Sequence, residues 1–302
     1  MDPLFSVVIP TYNHGHLIGR CLSSVLGQSF TDWEAIVVNN YSGDNTVEVV
    51  EGFHDDRIHL VNFRNNGIIA ASRNEGIRRS RGEFVAFLDS DDWWYPRKLE
   101  EIRSHTADAD VIYHDLDIHS VEGRKEGMRD WRRQLARPVF VDLMVNWNTL
   151  PNSGVAVRKA ILERVGGLTE DSTLNTMEDA ELWLKISRVT ERFVYVRERL
   201  GAYWVGEGNL STFNERHIHC VHYIFDKYLG MLDEKDRRKA AAQRDYITGR
   251  IRQRTGSVGQ ALRLFLASAR SGTRTIRLKS LALVPVCCLM AMAPFLFRKG
   301  AR

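Results

Sequence analysis

The chain has 302 residues, of which 44% are hydrophobic and 26% charged, and its formal net charge is +4. Those proportions are ordinary for a globular protein, and the length suffices for one sizeable α/β core with an appendage, one or two units in all. The four cysteines, Cys21, Cys220, Cys287 and Cys288, make no CxxC pair and no metal-ligand cluster, which excludes a disulfide framework and points to a reducing compartment.

Met1 to Phe5 lead straight into an apolar run with no basic stretch and no small-residue cleavage site, so no signal peptide is expected. FSVVIP, Phe5 to Pro10, reads as a β-branched strand closed by Pro10 and the polar turn TYNHG. HLIGRCLSSVLGQ follows with Leu17, Cys21, Leu22, Val25 and Leu26 at helical spacing. Trp33 to Val38 is a second strand, and NNYSGDNT a turn and helix start. A helix from Val47 to Gly52, a strand IHLVNF, a helix from Ala70 to Ser80 and a strand EFVAFLD complete the first hundred residues. Strands separated by helices predict a doubly wound, mainly parallel sheet covered on both faces. Ligands in such sheets bind at the carboxyl ends of the strands, so the polar residues after each strand are the ones to examine. From Ala107 to Leu200 the pattern is mixed, with strands over VIYHDLDIHS and GVAVRK and an amphipathic helix over AELWLKISRV.

From Ser211 onward the chain reads as helical, with Val258, Ala261, Leu262, Phe265 and Ala269 forming an apolar stripe. Between Arg237 and Arg302 there are 15 Lys or Arg against the single acid Asp245, a net charge of +14 that leaves −10 on the remainder. Leu281 to Phe297 is almost wholly apolar, contains Pro285 and Pro294, and is flanked by Arg274, Arg277 and Lys279 before it and Arg298, Lys299 and Arg302 after it. That run is borderline against the roughly 20 residues a spanning helix needs. A segment embedded in a membrane, or dipping into one, is the reading the flanking cations favour, since they suit anionic headgroups. A buried helix is the alternative. Nucleic acid is not expected as a partner, because the basic stretch ends in an apolar run and not in interleaved aromatics.

Three groups of residues carry chemistry. FLDSDD, Phe87 to Asp92, places three carboxylates in four residues after an apolar strand. Their mutual repulsion calls for a cation, and carboxylate oxygens suit Mg²⁺ or Mn²⁺; a solvated acidic cap on the next helix is the plainer reading. Glu178-Asp179 opens the helix AELWLKI, as a cap or as a base for an attacking hydroxyl. The turns Pro10-Thr11-Tyr12-Asn13 and Asn39 to Thr46 offer backbone groups and short polar side chains suited to a base and ribose, or simply ordinary turn chemistry.

In order along the chain, S-V-V-I-P-T-Y-N, S-V-L-x-Q-S-F, W-E-x-I-V-V, S-x-D-N-T, R-N-x-G and G-E-F-V-A-F-L-D-S-D-D resemble the family 2 glycosyltransferases over roughly residues 4 to 212. The resemblance implies a GT-A fold and an inverting, metal-dependent transfer of one sugar at a time from a nucleotide-sugar donor, with a UDP-sugar expected. It implies a catalytic domain over 1–212, with a nucleotide-sugar half near 1–105 and an acceptor half near 106–212, followed by a basic helical tail over 213–302. Pro10, Thr11 and Tyr12 look like the start of the nucleotide pocket. Asn40 stands where the family usually has an Asp reading the uracil edge, so the usual acid pair is here Asn39-Asn40. Arg73 and Asn74 look like donor-pocket residues near the diphosphate. Asp89, Ser90 and Asp91 look like the DxD motif, with Asp91 and Asp92 as ligands of Mn²⁺ or Mg²⁺. Asp179 looks like the base, with Glu178, Asn152 and Ser153 on the acceptor side. The family's Y-R-x-H pattern is here Tyr203-Trp204-Val205-Gly206, with Gly206 at the His position and Glu207 next to it. The Q-x-x-R-W signature of processive synthases is absent, Gln134 being followed by Leu135, Ala136 and Arg137. A lipid-linked glycan acceptor and an anionic membrane surface at the cytoplasmic face are the expected partners, with tail-mediated self-association as a further expectation. A dinucleotide-binding oxidoreductase is disfavoured because the first strand is followed by Asn13-His14-Gly15-His16 and not by G-x-G-x-x-G. A non-catalytic module of the same fold would not need Asp91, Asp92 and Asp179.

Overall fold

The computed structural model describes residues 2–124, 133–147, 150–206 and 214–298, with side chains up to residue 292. The chain divides into two compact units, Met1–Leu135 with Thr149–Asn209, and Ala136–Asn148 with Leu210–Arg302.

In the first unit the strands are β1 (Phe5–Thr11), β2 (Trp33–Asn39), β3 (Ile58–Asn62), β4 (Phe84–Phe87), β5 (Trp93–Trp94), β6 (Val111–Ser120), β7 (Gly123–Arg124), β8 (Val155–Arg158) and β9 (Phe193–Val205). Between the early strands run helices α1 (Gly15–Leu26), α2 (Thr46–Glu51), α3 (Ile69–Arg79) and α4 (Lys98–Arg103). The described strands form one sheet in the order β3-β2-β1-β4-β8-β6-β9-β5, with β7 paired to β6. β1 pairs in parallel with both β2 and β4, and β2 with β3, whereas β8 runs antiparallel between β4 and β6. The chain therefore winds outward from β1 to β3 and then resumes at β4 on the other side of β1. That reversal opens a crevice at the carboxyl ends of β1 and β4.

Local sequence explains these elements. Every residue of β1 and β2 is buried, as expected for strands covered on both faces. Helix α1 buries Ile18, Cys21, Leu22 and Val25, a single stripe at i, i+3, i+4 and i+7, against Val7, Ile9, Val37 and Ala86. Helix α3 lies unusually close to β1: a Cβ on Gly76 would stand 2.4 Å from a methyl of Val8, so only glycine fits there.

Strand β9 is the largest element the sequence pattern did not announce. It pairs in parallel with β6, with irregular register between His114 and Asp117. Its run Arg197-Glu198-Arg199 breaks the apolar pattern, and the cross-strand partner supplies what periodicity alone does not.

In the second unit, α5 (Val139–Asn146) joins α8 (Glu215–Tyr228), α9 (Glu234–Arg254), α10 (Val258–Ser271) and α11 (Arg274–Arg298); α6 (Lys159–Arg164) and α7 (Glu178–Ser187) belong to the first. Asn214 caps α8 by accepting the His217 N–H, and Asp233 caps α9 by accepting that of Asp236. The predicted stripe packs as expected: Ala261 and Phe265 are buried with Cys287, Tyr246 and Leu283. Helix α11 runs through Pro285 without ending. Leu278, Leu281, Leu289 and Met292 on it are each more than half exposed. Its Arg274–Met292 stretch is, among the described residues, the one helix long and apolar enough to cross a membrane by length and composition.

Candidate active site

The first two turns brace one another at the carboxyl ends of β1 and β2. Asn13 N–H donates to Ser42 Oγ at 2.8 Å, and its side-chain oxygen accepts from Gly43 N–H at 2.8 Å. His14 N–H donates to Thr46 Oγ1 and Gly15 N–H to Asp44 Oδ2. The S-G-D-N-T run thus serves as scaffold for the first turn. Pro10 and Thr11 are buried, while Tyr12 stands exposed. Asn39, 1% exposed, spends its amide on Asn62 and Ser42. Asn40 donates its N–H to Thr11 O at 3.0 Å and accepts the Asn65 N–H on Oδ1 at 3.0 Å.

The acid turn follows β4 directly and closes with Asp92 N–H on Asp89 O at 3.0 Å. Its four residues have different surroundings. Ser90 is turned inward, its hydroxyl 2.7 Å from His14 Nδ1. Asp92 is 1% exposed, and both its oxygens are taken, by Ser153 Oγ at 2.5 Å and by Trp204 N–H at 2.8 Å. Burial, then the charges of Asp91 and Asp89, push its carboxyl well up. Asp89 accepts from Arg73 Nη2 at 2.6 Å and from Asn152 Nδ2 at 3.1 Å, while its N–H donates to Ser153 Oγ. Asp91 offers its carbonyl to Arg20 Nη2 at 2.7 Å, and its carboxylate, beyond a contact with its own N–H, makes no bond to another described residue. Burial and the Asp89 charge raise its carboxyl to about 6.

Arg73, 3% exposed on α3, is the hub. One arm of its guanidinium binds Asp89, and the other binds Glu178 at the start of α7. Although burial alone would lower it, the charges of Asp89 and Glu178 hold its guanidinium above the usual range. The other oxygen of Glu178 accepts the N–H of Thr176, which holds φ at 88°, a costly conformation for a β-branched residue. Asp179 is half-buried beside Glu178, with one oxygen on the Ala180 N–H at 2.6 Å. Burial, followed by the Glu178 charge and offset by Arg73, raises its carboxyl to about 7.

The structure therefore brings Arg73, Asp89, Asp91, Asp92, Asn152, Ser153, Glu178 and Asp179 into one network. Within it the buried Ser153 and Glu178 brace the acid turn and its arginine, while the half-buried Asn152 holds Asp89 through its amide nitrogen. Asn74 departs from the donor-pocket expectation: its amide donates to Leu168 O and Glu170 and accepts the Leu168 N–H, so it holds the 166–170 loop. Among the described residues no group of three or more His, Cys, Asp or Glu could hold a metal ion by itself. The donor set still fits a hard divalent ion that takes its remaining ligands from substrate and water. Three carboxylates crowd one turn, and the Asp91 carboxylate is uncommitted.

Sequence reading missed Arg20. Its guanidinium lies 3.8 Å from the Trp93 ring centroid and 4.8 Å from that of Trp204, against the acid turn. Nothing in α1's helical pattern marks it, because its partners come from β5 and β9. A Cβ on Gly206 would stand 2.4 Å from Trp204 Nε1, so a histidine there would require the Trp204 indole, packed beside Trp93 and Arg20, to move. Glu207 lies outside the described residues.

A sheet reversing at β1 with an acid turn at the crevice defines the GT-A architecture. Staphylococcus aureus TarS 1–349 in complex with UDP-GlcNAc superposes with a TM-score of 0.65 at 20% identity, over 96% of this chain and 87% of that one. The mannosyltransferase PcManGT of Pyrobaculum calidifontis, in complex with GDP-Man and Mn²⁺, superposes at 0.61 and 20% identity, over 97% and 81%. The model of glycosyl transferase family 2 matches residues 6–166, and the chain belongs to that family. It is 42% identical over 99 residues to the Escherichia coli UDP-Glc:alpha-D-GlcNAc-diphosphoundecaprenol beta-1,3-glucosyltransferase WfgD, covering 33% of this chain and 39% of that one. It is 36% identical over 129 residues to the Staphylococcus aureus poly(ribitol-phosphate) beta-N-acetylglucosaminyltransferase TarP, covering 39% and 37%.

Proposed function

We propose that this chain transfers a hexosyl or N-acetylhexosaminyl group from a UDP-sugar to a hydroxyl of a polyprenyl-diphosphate-linked glycan, with inversion, during cell-surface polysaccharide assembly. The observation that carries this is the Arg73 fork, which ties Asp89 of the acid turn to Glu178 and so draws the neighbouring Asp179 to the same crevice. The UDP-sugar bound in the TarS complex and the lipid diphosphate in the name of WfgD support the two substrates.

In this reading the base and ribose lie against Pro10, Thr11, Tyr12 and Asn40. Asp91 would hold Mn²⁺ or Mg²⁺, a cation that neutralises charge on the diphosphate as the glycosidic bond breaks. Asp92, buried and doubly bonded, fixes the turn. The acceptor hydroxyl attacks the anomeric carbon from the face opposite the diphosphate. Asp179 takes its proton; the C1–O bond breaks and its electrons leave with UDP. A carboxyl raised to about 7 is suited to that exchange, since a base works best near the operating pH. Arg73 keeps the negative charges of Asp89 and Glu178 from accumulating beside it.

The tail is read as a dock on an anionic membrane at the cytoplasmic face. Exposed apolar residues on α11 and the +14 charge over Arg237 to Arg302 supply burial and attraction together, and two such signals anchor where one does not. A panel of nucleotide sugars, scored for Mn²⁺-dependent hydrolysis in the presence and absence of EDTA, tests the donor half of the proposal. UDP-sugars should be cleaved only with the cation, and selective cleavage of GDP-sugars would overturn the donor class.

A further inference from the structure

We infer that Asn40 reads the nucleobase as a hydrogen-bond donor, so that the pocket does not reject cytidine diphosphate in favour of uridine diphosphate. The inference rests on the proposal above that a base lies beside Asn40, and it adds which edge of that base is read.

An asparagine side chain has an acceptor oxygen and a donor NH₂, and its orientation is set by its neighbours. Here the neighbour leaves no choice. The Asn65 backbone N–H, 3.0 Å from the side chain, can only donate, so the oxygen faces Asn65. The residue is anchored by its own N–H on Thr11 O at 3.0 Å. Asn40 is half-buried at the end of β2, and its amide nitrogen makes no hydrogen bond to a described residue. Asn39 cannot take over the reading, because its amide is spent on Asn62 and Ser42.

A carboxylate at this position would accept from Asn65 with one oxygen and from a ring N–H with the other. The amide offers an N–H in the second place. Uracil presents N3–H, a donor, along its edge; cytosine presents N3 as an acceptor; both carry O2 as an acceptor. Against a donor, uracil must shift to a carbonyl, whereas cytosine is met at N3 directly. Selection for uridine through N3 is thereby removed.

Calorimetric titration of UDP and CDP into the full chain, at one Mn²⁺ concentration, tests this with wild type, Asn40→Asp and Asn40→Ala. Wild type should bind CDP as tightly as UDP or more tightly. Asn40→Asp keeps the Asn65 contact and supplies a charged acceptor, so the ratio should move toward UDP by about tenfold or more, the size of one charge-assisted hydrogen bond. In Asn40→Ala, CDP should weaken at least as much as UDP, which guards against a folding defect in the Asp variant. A tenfold preference of wild type for UDP, or a ratio that Asn40→Asp leaves unmoved while both nucleotides bind, overturns the inference alone. Binding of neither nucleotide to wild type overturns the nucleotide reading, and the inference with it.

Discussion

Replacing Arg73 by methionine should expose how much the crevice depends on one guanidinium. The side chain is 4% exposed and bridges Asp89 and Glu178, which have side-chain exposures of 26% and 5%. Methionine fills similar space but leaves both carboxylates without their cation. Stripping one partner from a buried ion pair costs about 3–5 kcal/mol, because the survivor keeps its desolvation penalty. Glu178 carries most of that cost here, since Asp89 retains Asn152 and some contact with water. Arg73→Lys should recover part of the loss and no more, as an ammonium cannot reach both carboxylates in the fork geometry. Adding Glu178→Leu to Arg73→Met removes the stranded charge, so the double variant should be more stable than Arg73→Met itself. Urea denaturation followed by circular dichroism at neutral pH reads wild type, Arg73→Met, Arg73→Lys, Glu178→Leu alone and the double variant, five proteins in all. A loss under about 1 kcal/mol for Arg73→Met, or strict additivity in the double variant, would refute the hub role.

Asp179→Asn should lower turnover by about 10²–10⁴-fold while UDP affinity stays within a few-fold. With that carboxyl raised to about 7, it is protonated below and ionised above, so kcat/KM should rise with pH across that value; a profile flat from pH 6 to 8 argues against Asp179 as base. Asp91→Asn should abolish Mn²⁺ binding measured by electron paramagnetic resonance with the fold intact, whereas Asp92→Asn should lower the melting temperature, because Asp92 is bonded to Ser153 and Trp204. Leu281→Asp with Leu289→Asp on α11 should release the full-length protein from liposomes containing anionic lipid without changing donor hydrolysis, and unchanged flotation would leave the tail without a membrane role.

The first half of the sheet was legible because β1 and β2 are fully buried, largely apolar runs separated by an amphipathic helix, α1. The acid turn stood out as three carboxylates after an apolar strand, but the residues alone left a cation site and a solvated helix cap both open, and only the ordered family motifs chose between them. What residue order does not reveal is how a side chain is shared. Asp91 and Asp92 are adjacent and chemically identical, yet one carboxylate is uncommitted and the other is locked between Ser153 and Trp204, 61 and 112 residues away. Asn74 follows Arg73 and looks equally suited to a ligand, but it faces the 166–170 loop. Strand β9 and Arg20 were hidden because each is defined by partners distant in sequence.

The stereochemistry of the product tests the central claim most directly. With an α-linked UDP-sugar and a lipid-linked acceptor, proton NMR of the new anomeric centre should report a β linkage, formed by one displacement with Asp179 as base. An α linkage would require a second displacement or a different geometry, and would contradict the account.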